Sequence, residues 1–94
     1  MVTLRITHEV PAYDGWKKAF DNDPINRKAS GVKSYRIYRP VDNPKLVIVE
    51  LDFENRDDLD KTLAALKVLW NKVQGSVMVN PVTDILEIAE SKNI

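Results

Sequence analysis

The sequence predicts an α+β sandwich in which two helices cover one face of a four-stranded antiparallel sheet. Three observations carry that reading. The apolar period runs two, helical, two, two, helical, two along 94 residues. A chain of that length makes one domain and not two. The two middle strands are joined by a short turn-rich stretch, as neighbours in a hairpin are.

Val2, Leu4, Ile6 and His8 alternate with Thr3, Arg5, Thr7 and Glu9, so residues 2–9 read as a half-buried strand. Pro11 suits a helix entry, where its missing N–H costs nothing. Tyr13, Trp16 and Phe20 then come at i, i+3, i+7 on one stripe, with Lys17, Lys18 and Asp21 toward water. Gly15 weakens this helix, so the aromatic packing must hold it. Asp23-Pro24 reads as a second cap and first turn, opening a short helical stretch through Ser30, and Gly31 supplies a left-handed exit.

Residues 32–39 and 46–54 are the next two strands, joined by Pro40-Val41-Asp42-Asn43-Pro44-Lys45. Val47, Val49, Leu51 and Phe53 mark the core face of the second, and Tyr35 and Ile37 belong with them across the hairpin. The opposite face then carries Ser34, Arg36 and Tyr38 beside Ile48, Glu50 and Asp52. Asn55 caps the second helix, with Asp57 and Asp58 in its positive first turn and an Asp57–Lys61 pair at i, i+4. Leu59, Leu63, Leu66, Leu69 or Trp70, and Val73 form its buried stripe, and Gly75 ends it after Gln74. A loop including Asn80-Pro81 leads to a last strand over 82–90. The order is βαββαβ, the ferredoxin-like arrangement, in a single domain 1–94 with a frayed tail at 91–94. Nothing in the chain covers the second face of such a sheet. Another copy of the protein is the expected cover, which makes Arg5, Arg36, Tyr38, Ile48, Glu50 and Asp52 candidate interface residues.

Composition narrows the class. Hydrophobic content of 44% with 30% charged residues is that of a globular protein. No apolar run approaches the roughly 20 residues needed to span a bilayer, and the opening residues alternate like a strand and not like a signal peptide. No membrane role is expected. With no cysteine there is no disulfide framework, thiol chemistry or Cys-bound metal, which fits a cytoplasmic protein. Net charge is zero, yet residues 1–47 carry nine basic and five acidic side chains and residues 48–94 the reverse. Interleaved elements that neutralise each other account for this. A basic nucleic-acid face would need aromatic–basic interleaving, which is missing, so no nucleic-acid partner is expected.

Few residues can carry chemistry. His8 is the lone histidine and titrates nearest neutrality, which makes it the candidate catalytic acid/base. Strand parity puts it on the helix-facing side, at the strand end that feeds the helix bearing Tyr13 and Trp16. Alternatively, it packs at the core edge and bonds a carbonyl or Asp14. Tyr13, Trp16, Phe20 and Trp70 can line a pocket for a flat apolar substrate, or can be core. Arg5, Arg36, Glu50 and Asp52 on the open face read as an ion-pair network or as a carboxylate-and-arginine site. No Gly-rich phosphate loop, metal triad or hydrolase elbow is visible, and no metal or cofactor is expected.

His8-x-Val10-x-x-Tyr13-x-x-Trp16-x-x-x-Phe20-Asp21, Ser30-Gly31-Val32, Tyr38-Arg39 and Asp42-Asn43-Pro44 together resemble the dimeric α+β barrel superfamily. They are most similar to its antibiotic-biosynthesis-monooxygenase-like group. The resemblance implies a homodimer whose sheets meet face to face and a pocket between sheet and helices in each subunit. It implies no single reaction, because the superfamily includes cofactor-free oxygenases, isomerases, haem-degrading enzymes and ligand-sensing modules. The haem-degrading branch places an axial histidine near the end of the second helix, where this chain has none. Two expectations result. One is a small-molecule-binding homodimer acting as a cofactor-free oxygenase or isomerase on an apolar or aromatic metabolite. The other is a non-catalytic structural or sensing dimer with a filled core.

Overall fold

The computed structural model describes residues 1–73 and 79–94. Its elements are β1 (Val2–Glu9), α1 (Tyr13–Asp21), β2 (Val32–Tyr38), β3 (Leu46–Phe53), α2 (Arg56–Val73) and β4 (Val79–Glu87). The four strands form one antiparallel sheet in the order β2-β3-β1-β4. The predicted βαββαβ sandwich is therefore the fold of the chain. No helix among the described residues is long and apolar enough to cross a membrane.

Register sets which residues share a face. Leu4 stands opposite Leu51, Ile6 opposite Val49 and His8 opposite Val47, so the helix-facing residues of the two central strands form one continuous apolar floor. Tyr35 and Ile37 extend it into β2 opposite Leu51 and Val49. Trp16 of α1 and Leu59, Leu66 and Trp70 of α2 close over this floor, and Phe53, Leu4, Leu59 and Val47 are sealed completely. Burying each such side chain contributes roughly 1.5–3 kcal/mol, which is where a domain this small gets its stability.

The second helix obeys its start signal, whereas α1 begins after Ala12 with no side-chain cap. Asn55 Oδ1 accepts the Asp58 backbone N–H at 2.9 Å, satisfying one of the orphan donors of α2. The i,i+4 ion pair that forms on α2 is Arg56–Asp60 at 2.8 Å, one position off the expected Asp57–Lys61. Thr62, which the apolar pattern skips, is buried and donates to the Ser30 carbonyl at 3.3 Å, tying α2 to the chain that enters β2. Gln74 and Gly75, the expected helix end, lie outside the described residues, and so does the side chain of Val73.

Two segments depart from the sequence reading. Residues 24–30 form consecutive turns and not a short helix. The reason is backbone geometry: Asp23 and Asn26 both sit at φ 52°, a left-handed conformation that no helix or N-cap tolerates. The last strand starts earlier and ends earlier than 82–90, and it takes in Asn80 and Pro81. The register with β1 slips between Thr7 and Glu9, and Asn80 at φ 51° lies in that bulge. Because β4 is an edge strand, Pro81 can be accommodated there without an N–H to give the ladder.

Gly31 enters β2 at φ 95°, and a Cβ built there would lie 2.7 Å from Asp58 Oδ2. Backbone strain and a clash with the first turn of α2 therefore act together. Gly31→Ala is expected to cost about 2 kcal/mol, or roughly 10 °C in Tm by thermal unfolding. A shift below about 3 °C would show that the loop relaxes freely.

Candidate functional site

Strand parity turns His8 toward the helices, and the chain is pinned immediately beyond it. Val10 donates its backbone N–H to the Lys45 carbonyl at 2.7 Å, fixing the end of β1 just before the chain turns into α1. The imidazole is only 2% exposed and its ring centre is 5.3 Å from that of Trp16. Its Nδ1 lies 3.3 Å from the carbonyl of Glu9, a contact that requires Nδ1 to carry the hydrogen. That tautomer leaves Nε2 as the lone-pair nitrogen. Burial lowers the His8 pKa, and the bond to Glu9 only partly offsets it, so the ring is neutral at pH 7.

The aromatic residues of α1 form a ladder running away from His8. Trp16 and Phe20 stack with centroids 5.2 Å apart, and Phe20 meets Tyr35 edge-on at 5.1 Å. Under this ladder, between the helices and the sheet, lies a cavity of about 270 Å³. Ile6, Val49 and Leu51 make its floor, with Leu66, Leu69 and Trp70 on the α2 side. Both alternatives for the α2 stripe, Leu69 and Trp70, thus reach the same space. The interior is neither solid nor roomy, since drug-sized ligands occupy pockets from about 300 Å³ upward. A two-ring molecule matches it in scale.

Three of the four aromatic side chains singled out from sequence line this cavity with His8: Trp16, Phe20 and Trp70. Tyr13 does not. It packs on the outer side of Trp16 at 5.8 Å, with the Arg39 guanidinium 4.1 Å above its ring. One helical turn nearer the start of α1 carries it past the cavity end. Sequence reasoning missed Asn22, Ile25 and Arg27, which complete the lining from the turns after α1. In one dimension those residues read as a polar connector, and only the fold brings them over the cavity.

The other candidate cluster lies on the opposite face of the sheet. Asp52 accepts from Thr3 Oγ1 at 2.7 Å, from Ser34 Oγ at 2.8 Å, and from both Arg36 Nη atoms at 2.9 and 3.1 Å. Glu50 accepts from Arg5 and Arg36 at 3.3 and 3.2 Å and from the Tyr38 hydroxyl at 3.1 Å. Burial would push the Asp52 carboxyl up, but the bonds from Arg36, Thr3 and Ser34 outweigh it and hold the group below its ordinary value. Arg36 is raised in turn, chiefly by Asp52. Every carboxylate oxygen here has a partner, so the arrangement reads as a structural network on the sheet. These pairs also join the basic first half of the chain to its acidic second half. Ile48 lies in the same face opposite Thr7 and Tyr38.

Among the described residues no three His, Asp or Glu side chains converge as a metal site. The two clusters lie on opposite sides of the sheet and serve no common site.

No family profile matches the chain, and no curated protein does. Solved structures do match along nearly its whole length. The heme-degrader MhuD of Mycobacterium tuberculosis, solved with two hemes in its active site, superposes with a TM-score of 0.75 at 17% identity, covering 99% of this chain and 100% of that one. A putative antibiotic biosynthesis monooxygenase from Deinococcus radiodurans gives 0.63 at 15% identity, covering 100% and 98%. A dimeric ferredoxin-like protein from an uncultured marine organism gives 0.65 at 11%, covering 97% of each chain. At such identities the likeness is one of fold.

Proposed function

We propose that this protein is a homodimer that binds a small, flat, largely apolar or aromatic molecule between helices and sheet, with His8 as its acid/base. The observation that carries the reading is a buried imidazole set in the wall of a mostly apolar, aromatic-lined cavity. A ligand hydroxyl of phenolic or enolic type placed against Nε2 can pass its proton to that nitrogen. The ring becomes imidazolium, and the ligand keeps the electron pair as an electron-rich anion. Such an anion is the species that a cofactor-free oxygenase presents to dioxygen, or that an isomerase reprotonates elsewhere. Heme, which MhuD holds, does not suit these residues: α2 carries no histidine, and the cavity falls short of even the usual drug-sized range.

The dimer rests on the open face. Arg5, Arg36, Glu50 and Asp52 are already paired within one chain, so a second copy can cover these four without stranding an ion. Around them stand apolar groups in contact with water, among them Val82 at 57% exposed and Tyr38. A face of this kind suits an interface with a polar centre.

Native mass spectrometry of the protein as purified tests both parts. The expected result is a dimer mass with a discrete small-molecule adduct per subunit. A bare monomer at micromolar concentration would overturn the dimer. A dimer that neither retains nor takes up any aromatic ligand would leave the non-catalytic alternative.

A further inference from the structure

Arg27 is the one charged side chain lining the cavity. Its guanidinium carbon sits 4.0 Å over the Phe20 ring and 5.1 Å from the centre of Tyr35, at the far end of the aromatic ladder from His8. The side chain is 16% exposed and held in place: Nη1 donates to the Phe20 carbonyl at 2.7 Å. Among the described residues that is the only hydrogen bond the guanidinium makes, which leaves the hydrogens of Nε and Nη2 for another acceptor. Asp23 does not use them. Its carboxylate forms an ion pair with Nη1 at 3.6 Å, longer than a hydrogen bond, and accepts the Arg27 backbone N–H at 2.8 Å.

A second observation points the same way. Arg27 also borders a surface depression that carries Lys28 and Lys33, with Asp23 as its one acidic side chain. The cavity thus opens beside a net positive surface, and its own wall bears no negative charge. A stacked, partly desolvated guanidinium with free donors is a strong site for an oxyanion, and a small cavity lined mostly by apolar side chains suits a carboxylate on a ring better than the bulkier, more highly charged phosphate.

Resting on the reading of the cavity as a ligand site, we propose that the ligand is an aromatic or conjugated acid: its ring system lies along Trp16 and Phe20, and its carboxylate is held by Arg27 at the mouth. Arg27 is then the residue that sets specificity, and His8 meets the other end of the molecule.

The probes are 2-naphthoate and its uncharged counterpart 2-naphthamide, which share one ring system. The chain has two tryptophans and both line the cavity, so their two indole N–H signals in an NMR titration report affinity and location together. Naphthoate is expected to move both signals and to bind the unaltered protein about 10- to 100-fold more tightly than the amide. Arg27→Gln should erase that preference while amide affinity stays within about twofold, and Arg27→Lys should restore part of it. Because Arg27 also ties down the Phe20 carbonyl, the acid–amide comparison on the unaltered protein stands even if a variant folds poorly. Equal binding of acid and amide would overturn the role of Arg27 and leave the apolar cavity reading intact. If neither probe moves an indole signal, both readings fail.

Discussion

His8→Ala is expected to lower turnover of the cavity's substrate by about 10²- to 10⁴-fold while ligand affinity changes only a few-fold. The loss falls on the chemical step because the imidazole is small beside the aromatic wall that supplies the contact area. Its pH dependence carries a sign set by burial. The ring's folded pKa lies below its ordinary value of about 6.5, so the base is mostly neutral at pH 7. The rate is expected to be level through neutrality and to fall at acid pH with a midpoint below about 6.5. Stability moves in the same direction. A histidine kept neutral in the fold, but free to charge when unfolded, withdraws stability as pH drops below about 6.5 toward its lower folded value. Unchanged turnover in His8→Ala, in a variant that still binds ligand, would remove His8 from the mechanism.

Asp52→Ala is expected to destabilise the fold by about 2–3 kcal/mol in chemical denaturation. Its side chain is only 6% exposed and takes four hydrogen bonds. Truncation leaves the buried Thr3 hydroxyl without its acceptor and strips Arg36 of a bidentate partner. Arg36 is 44% exposed and can turn to water, which keeps the cost below that of breaking a fully buried pair. The carboxyl's folded pKa is depressed below its unfolded value near 3.9, so its contribution is complete at neutral pH and is lost as pH falls through about 4 and below. Unaltered protein should therefore show an acid-dependent loss that Asp52→Ala largely lacks. A stability change under about 0.5 kcal/mol would mean that the network is incidental to the fold.

The open-face network was readable in the sequence because strands obey a period of two. Once Val47, Val49, Leu51 and Phe53 claim one face, Ile48, Glu50 and Asp52 must take the other; that Arg5 stands beside Glu50 and not Asp52 is set by the register of β1 on β3. The turn region was not readable in this way. Asp23-Pro24 carries a helix-start signal, yet left-handed residues at Asp23 and Asn26 break the segment into turns. Proline and asparagine misled again at 80–81, where a bulge on an edge strand absorbs residues that usually end one.

By itself the sequence determined the βαββαβ order, the two faces of the sheet and the placement of His8 among apolar neighbours, because each rests on periodicity or on a single residue count. The size of the cavity and its polar lining were decided by tertiary structure. Trp16 and Trp70 reach it from two different helices, and its one charge comes from Arg27, which is distant from His8 in sequence and reaches the same space only when the turns after α1 fold over it. Packing volume and convergence from separate elements are three-dimensional sums, and no local pattern encodes them.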